Sequence, residues 1–160
     1  MLRRADLASL GLWVGSTGQV SNAHFDCAHN MMTVIRGEKV FTVCSPENFL
    51  AMAAHTWKSC GGNDQNGEIY RFSQIDVINP DLKQFPGFAK VQSKLKAIHL
   101  QRGETLLLPC GWWHHVMTTG DPSDDINIAL NTFWNASDAF WARKELRFLT
   151  QFRTKYERKA

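Results

Sequence analysis

Residues 18–39 read GQVSNAHFDCAHNMMTVIRGEK, and this stretch constrains the fold more than any other. Short apolar runs alternate with turn signals, which predicts strands over residues 20–26, 30–35 and 39–44. The sequence Arg36-Gly37-Glu38 separates the last two runs and predicts a hairpin between them. A chain that begins with several short strands is typical of an all-β barrel or sandwich.

The tripeptide His24-Phe25-Asp26 lies in the first of these strands. Side chains two residues apart on a strand point to the same face. A neutral imidazole and a carboxylate, joined by a second histidine, make the facial triad of non-haem Fe(II) oxygenases. The tripeptide alone is a weak signal, since six His and 15 acidic residues among 160 give roughly 0.6 such matches by chance. A surface His beside a surface Asp is the alternative interpretation.

A second histidine-bearing motif occupies residues 100–116, LQRGETLLLPCGWWHHV. A strand ends there at a Pro/Gly turn, and a strand carrying two histidines follows. In an antiparallel barrel this strand can lie beside the one that carries His24. Only one of the neighbours His114 and His115 can face the interior, and strand alternation alone does not choose between them.

Lys39 lies 15 residues after His24, in the predicted strand over residues 39–44. A lysine that faces into a barrel is costly unless a carboxylate meets it. An exposed lysine is the ordinary interpretation, because lysine is rarely buried. Beside an iron site, the same lysine would anchor the distal carboxylate of a dicarboxylic acid.

The remaining pattern predicts four strands, an irregular insertion and four more strands. The insertion includes a helix over residues 48–57, capped by Ser45 with Pro46 at its first position. A Gly-, Asn- and Asp-rich loop follows over residues 59–67. The other predicted strands cover residues 10–14, 96–100, 105–108, 113–118 and 126–134.

Residues 137–160 differ from the rest and predict a C-terminal α-helix after a barrel domain over residues 1–136. Ser137 can cap this helix, and its apolar surface exceeds what one packing stripe needs, which indicates a homodimer contact. Residues 139–160 also carry seven Lys/Arg and two Glu. A solvated helix face is the ordinary interpretation of these charges, and contact with nucleic acid or a partner is the alternative. The apolar stripe is Ala142, Leu146, Leu149, Phe152 and Tyr156.

Composition predicts an intracellular protein, cytoplasmic or nuclear, with no membrane contact. The chain has 44% hydrophobic and 21% charged residues, as folded domains do. Its net charge of +3 is too small to imply a polyanionic partner by itself. None of the four cysteines forms a C-x-x-C pair, so we expect free thiols in a reducing compartment.

Together, four stretches resemble the Jumonji C hydroxylases, and most of all their small cupin-like branch. That branch includes the asparaginyl hydroxylase that acts on hypoxia-inducible factor, small lysyl hydroxylases and a tRNA wybutosine hydroxylase. The resemblance implies a mainly β fold, a double-stranded β-helix of the jelly-roll (cupin) type. The stretches are residues 18–39, residues 100–116, INPDLKQFPGFAK at 78–90 and NIALNTFW at 127–134.

The same resemblance implies a set of site residues. His24, Asp26 and His114 would bind Fe(II), since the first histidine after the tryptophans is the family's ligand. Lys39 would bind the C5 carboxylate of 2-oxoglutarate. The other cosubstrate-pocket residues would be Ser21, Asn30, Thr132 and Trp134, with Asn131 as an alternative to Thr132.

The implied reaction is a dioxygenase reaction that uses O₂. It would decarboxylate 2-oxoglutarate to succinate and CO₂ and hydroxylate a macromolecule, with a protein side chain as the first expectation. Two alternatives stay open. One is a tRNA-base hydroxylase of the same family, which the basic C-terminal segment favours. The other is a catalytically inactive cupin that acts as a binding module.

Overall fold

The computed structural model describes residues 7–57, 69–121 and 123–135, and these form ten strands with a short helical insertion. All strand pairs are antiparallel. The strands are β1 (Leu7–Gly15), β2 (Val20–His24), β3 (Ala28–Arg36), β4 (Glu38–Cys44), β5 (Ala54–Trp57), β6 (Ile69–Ser73), β7 (Lys96–Leu100), β8 (Thr105–Leu108), β9 (Trp113–Thr119) and β10 (Asn127–Asn135).

The strands form two sheets. One has four strands in the order β1-β10-β3-β8, and the other has six in the order β5-β6-β2-β9-β4-β7. Both sheets contribute side chains to a common interior, which is the arrangement of a jelly roll. The mainly β, cupin-type fold expected from the sequence is therefore confirmed.

The interior between the sheets is an apolar core. On β3 every second residue is buried, as expected for a strand with one face inward. Val34 from the four-stranded sheet and Phe41 from the six-stranded sheet are almost fully buried in it. The core residues are Met32, Val34, Phe41, Val43, Leu100, Leu108, Val116 and Ala129.

A second core covers the end of β2 and the start of β9 on the opposite side of the six-stranded sheet. Trp113 and Phe25 belong to it, and their rings contact each other edge to face at 5.0 Å between centroids. The insertion supplies the other wall through a 3-10 helix (Pro46–Met52), a second 3-10 helix (Pro86–Phe88) and α1 (Ala89–Gln92). Both faces of the first half of β9 are consequently buried.

The predicted hairpin between β3 and β4 is wrong. Gly37 does turn the chain, with φ of 75°, but the two strands enter opposite sheets. Asn127 packs so closely on this turn that a Cβ at position 37 would lie 2.4 Å from its Nδ2 atom. The turn therefore carries the chain across the barrel, which places Lys39 beside β9.

The helix predicted over residues 48–57 is also wrong in type and extent. Pro46 does start a helix, but it is of the 3-10 type and ends at Met52, where Ala53 takes a left-handed conformation. Ser45 stands at the N-cap without a side-chain capping bond. The segment after the 3-10 helix forms β5, because its backbone pairs with β6. Neither β5 nor β6 was predicted.

Several sequence predictions fall outside the described residues. These are the C-terminal helix over residues 137–160 with its dimer contact, and most of the loop over residues 59–67. In the part of the chain that the structure does describe, no helix is long and apolar enough to cross a membrane. Cys27, Cys44 and Cys110 form no disulfide there.

Candidate metal centre

His24 and His114 stand side by side on β2 and β9. The two residues are direct partners in the strand pairing, and their ring centroids are 4.2 Å apart. Asp26 lies just past the end of β2, and its side chain turns back to the same side. One potential ligand atom from each residue lies within 4.8 Å of the others, and this is the one such cluster among the described residues.

Backbone carbonyls fix the orientation of both imidazoles. The Nδ1 atom of His24 lies 2.7 Å from the carbonyl oxygen of Asn22, and that of His114 lies 3.0 Å from the carbonyl oxygen of Trp112. A carbonyl oxygen can only accept, so the proton of each neutral ring sits on Nδ1. Each Nε2 atom then keeps its lone pair for a metal ion.

Asp26 is held from two directions. The side-chain amide of Asn30 donates to the Oδ2 atom of Asp26 at 3.0 Å, and the backbone amide of Gly111 donates to its carbonyl oxygen at 2.8 Å. Gly111 has φ of 82°, which a residue with a side chain rarely adopts. The Pro/Gly turn before β9 thus connects the backbone of Asp26 to the start of the strand that carries His114.

His114 and His115 face opposite sides of β9. His114 faces the barrel interior, while His115 is buried beneath the insertion. Burial lowers the pKa of His115 below its usual value, and Asp76 in the insertion partly opposes this shift. His115 is therefore a packed histidine, as expected if His114 points inward.

The three potential ligands open into a cavity of about 230 Å³. Its apolar walls come from both sheets, and its polar residues include Ser21, Asn30 and Lys39, which the sequence singled out. The lining residues are Trp13, Ser21, His24, Asp26, Asn30, Met32, Lys39, Phe41, Phe72, His114, Val116, Asn131 and Phe133.

Lys39 is a buried cation in this cavity. Its side chain is 8% exposed, and its Nζ atom donates to the Oγ1 atom of Thr118 at 3.0 Å. No carboxylate among the described residues pairs with it. Burial lowers the pKa of Lys39 below its usual value. A buried ammonium without a counter-ion makes this end of the cavity suited to a ligand carboxylate.

On β10 the cavity is lined by Asn131 and Phe133, whereas Thr132 and Trp134 are not among its lining residues. Side chains alternate along a strand, so these two pairs face opposite sides of the sheet. The strand register agrees, because Asn131 pairs with the inward-facing Met32. The sequence left Thr132 and Asn131 as alternatives for one cavity position, and Asn131 is the one that lines the cavity.

Two buried amide oxygens in the cavity lack a hydrogen-bond partner among the described atoms. They are the Oδ1 atoms of Asn30 and Asn131, and both atoms are enclosed by protein. The cluster of two imidazoles and one carboxylate, with open space beside it, fits a divalent first-row metal ion.

Sequence reasoning missed two aromatic walls of the cavity. Phe72 on β6 stacks on His24, with ring centroids 5.3 Å apart and an interplanar angle of 23°. Trp13 on β1 also lines the cavity and is 53% exposed, which places it toward the open side. Phe72 had no signal, because β6 was not predicted. Trp13 lay in a predicted strand, but nothing in the sequence paired that strand with the site.

Comparison with known proteins agrees with this arrangement. The family model described as "Cupin-like domain" matches residues 3–140. HSPB1-associated protein 1 of Homo sapiens is 31% identical over 84% of the chain and 25% of its own length. Lysine-specific demethylase JMJ31 of Arabidopsis thaliana is 25% identical over 82% of the chain and 22% of its own length.

A third relative is tRNA wybutosine-synthesizing protein 5 of Gallus gallus, which is 29% identical over 82% of the chain and 32% of its own length. The chain thus spans between about a fifth and a third of the length of these relatives. The match covers the barrel, including every residue of the candidate metal centre. The chain therefore belongs to the cupin-like domain family and fits its Jumonji C members.

Proposed function

We propose that this chain is an Fe(II)- and 2-oxoglutarate-dependent dioxygenase that hydroxylates a macromolecule, with a protein side chain as its first substrate class. One observation carries the proposal. The cluster of His24, Asp26 and His114 and the buried ammonium of Lys39 line the same cavity. A ligand with a metal-chelating end and a carboxylate end matches both features.

Each polar residue of the cavity has a role in this proposal. His24, Asp26 and His114 would hold Fe(II), which when bound supplies the activation of O₂. Lys39 would bind the distal carboxylate of 2-oxoglutarate through a charge-assisted hydrogen bond. Asn30 would keep the Asp26 carboxylate aimed at the metal through the 3.0 Å contact that it already makes. Ser21 and Asn131 would add hydrogen bonds to the cosubstrate.

The apolar walls would exclude water from the reacting groups. Met32, Phe41 and Val116 line the cavity between the metal cluster and the apolar core. A dry cavity strengthens the contact between Lys39 and a carboxylate, since the local dielectric is low. Trp13 and Phe72 would contact the substrate, because they flank the open side and His24 respectively.

The proposal is tested by titrating 2-oxoglutarate into the anaerobic Fe(II)-loaded chain and following the visible charge-transfer band of the chelate. We expect a saturable band, and none with Asp26→Ala. Aerobic incubation with peptides should then give succinate and a +16 Da product. If the wild-type chain shows no band at millimolar 2-oxoglutarate, the chain is a binding module without this activity.

A tRNA base is the second substrate class that we propose. The supporting observation is the 29% identity to a relative named as a tRNA wybutosine-synthesizing protein. Comparative mass spectrometry of tRNA nucleosides and of peptides from cells with and without the protein separates the two classes. A +16 Da nucleoside that depends on His114 would favour tRNA, and a +16 Da peptide with the same dependence would favour protein.

A further inference from the structure

Thr118 is a buried residue of β9 that no role described so far requires. Its side chain is 4% exposed, and it lies directly opposite Lys39 in the pairing of β4 with β9. The two side chains meet through the 3.0 Å bond from Nζ to Oγ1. A hydroxyl can accept from the ammonium and still donate its own hydrogen elsewhere.

A second cavity explains on which side of Lys39 this bond lies. It also has a volume of about 230 Å³ and is lined by Thr118 and Asn127, which the first cavity lacks. Lys39 lines both cavities, whereas His24, Asp26 and His114 line only the first. Thr118 therefore holds the ammonium on the side that is remote from the metal cluster.

Strand geometry gives the scale of this separation. His114 and Thr118 are four residues apart on β9, and a strand rises by about 3.3 Å per residue, which gives about 13 Å between their backbones. Their side chains face the same interior. The distance between the metal end and the ammonium end of the cavity is thus determined by the spacing of His114 and Thr118 along β9.

The ammonium also has an electrostatic reason to move. A bound divalent ion outweighs the single negative charge of Asp26, so the attraction on Lys39 comes from the distal carboxylate of a diacid in the first cavity. A shorter diacid would hold that carboxylate nearer the metal cluster, and an unrestrained Lys39 would follow it. The bond to Thr118 opposes that movement.

We propose that Thr118 is a positioning residue: its hydroxyl holds the Lys39 ammonium at the far end of the cavity and so selects a five-carbon over a four-carbon 2-oxo diacid. This inference rests on the proposed function. Loss of the hydroxyl lets the ammonium approach the metal cluster, which weakens the fit to 2-oxoglutarate. The same movement improves the fit to the shorter oxaloacetate.

The test is calorimetric titration of 2-oxoglutarate and fresh oxaloacetate into the Mn(II)-loaded 160-residue chain. Thr118→Val keeps the shape and removes the hydroxyl. We expect its Kd for 2-oxoglutarate to rise about tenfold, equivalent to ~1.4 kcal/mol, while its Kd for oxaloacetate stays equal or falls. Mn(II) affinity should not change. Thr118→Ser should restore the wild-type preference, because it keeps the hydroxyl.

Two matched variants separate this role from a structural one. Thr42→Val makes the same change on the opposite face of β4 and should behave as wild type. In a Lys39→Met background, Thr118→Val should have no further effect on 2-oxoglutarate affinity, because Thr118 acts through Lys39. Should Thr118→Val bind metal poorly, the comparison of Thr118→Ser with Thr118→Ala decides instead.

The inference is overturned if Thr118→Val or, where it is needed, Thr118→Ala keeps the wild-type ratio of the two affinities. It is equally overturned if Thr118→Ser loses the preference, or if the effect persists without Lys39. In those cases binding of 2-oxoglutarate by the wild-type chain leaves the proposed function standing. A wild-type chain that binds no 2-oxoglutarate removes both.

Discussion

The two metal-facing histidines are oriented by the same kind of backbone hydrogen bond. Each Nδ1 atom bonds to the carbonyl oxygen two residues earlier, Asn22 for His24 and Trp112 for His114. The sequence could identify the histidines, because their spacing and neighbours form motifs. It could not identify their partners, because every residue has a carbonyl and no side-chain pattern marks which one accepts. Asn30 was singled out from the sequence, but its bond to Asp26 also needed the fold.

The neighbouring histidines give a direct test at this scale. His114→Ala should reduce Mn(II) or Fe(II) affinity by more than about 100-fold, since two remaining ligands hold a divalent ion poorly. His115→Ala should keep metal affinity and lower the free energy of unfolding by about 1–3 kcal/mol. Metal titration and urea unfolding of both variants provide the measurements. The reverse pattern of losses would mean that His115 faces the metal.

The buried His115 also predicts a pH dependence of stability. Its pKa is lowered in the folded chain, so the unfolded chain binds the proton more readily. Stability should therefore fall as the pH drops through 6.5, the usual value, toward the lowered one. His115→Gln should flatten this part of the profile. Urea midpoints measured between about pH 5 and 8 give the comparison, and identical slopes in both proteins would contradict it.

Lys39 predicts how cosubstrate affinity depends on charge. Lys39→Ala should raise the Kd for 2-oxoglutarate by about 10- to 100-fold and leave metal binding nearly unchanged. Lys39→Arg should restore only part of the affinity, because a guanidinium differs in reach and shape. Burial lowers the pKa of Lys39, so wild-type affinity should decline on raising the pH before the ordinary lysine value of 10.5. Calorimetry across this range, with Lys39→Arg as the control that stays charged, checks both points.

At the scale of elements, β9 contributes residues to both the cavity and the second core. Its inward face carries His114, Val116 and Thr118, and its outward face carries Trp113 and His115 under the insertion. The run W-W-H-H after a Pro/Gly turn predicted the strand, whereas the family resemblance supplied the choice of His114 as the inward ligand. The burial of the outward face of β9 was not predictable, because the insertion that covers this face was predicted to be irregular.

Strand positions were predicted better than strand partners. The predicted segments over residues 39–44, 96–100, 105–108 and 113–118 agree closely with β4, β7, β8 and β9. Periodicity and turn residues are local, so they are visible in sequence. The assignment of β3 and β4 to different sheets depends on long-range pairing. The turn at Gly37 was misleading, because it indicated that the two strands pair with each other. β5 likewise exists only because β6 pairs with it.

The second core can be tested through its largest side chain. Trp113 is 1% exposed, so Trp113→Ala should lower the free energy of unfolding by about 3–5 kcal/mol. Leu50→Ala is the matched surface change in the same insertion, because Leu50 is 92% exposed, and it should change stability by less than about 0.5 kcal/mol. Chemical unfolding of the two variants gives both numbers. Equal effects would show that the insertion does not pack on β9.

At the scale of the whole molecule, the described residues form a barrel with an apolar interior, an outer face covered by the insertion, and a cavity that opens to one side. The aromatic residues Trp13 and Phe72 lie on that side. The family match covers the barrel, while the aligned part is only 25% of HSPB1-associated protein 1 and 32% of tRNA wybutosine-synthesizing protein 5. Substrate recognition by the barrel alone is therefore part of the proposal and depends on these two rings.

Self-association through residues 137–160 remains a prediction from the sequence. If the apolar stripe joins two copies, replacing Leu146 and Leu149 with Glu should convert a dimer into a monomer or an aggregating species, because a buried charge without a partner is costly. Light scattering of the intact chain and the double variant gives the masses. An intact chain that scatters as a monomer would leave the stripe to pack within its own chain.

The strand order has a consequence for how the molecule is made. β1 and β3 both pair with β10, and β2 pairs with β9, so each of the first three strands has one partner about 100 residues later. A ribosome that releases the chain from its N-terminus would expose these strands before any partner emerges. Proteins with such distant pairings fold slowly, on the order of milliseconds to seconds. His24 and Asp26 precede His114 by about 90 residues, so the three potential ligands come together only when β9 has paired with β2.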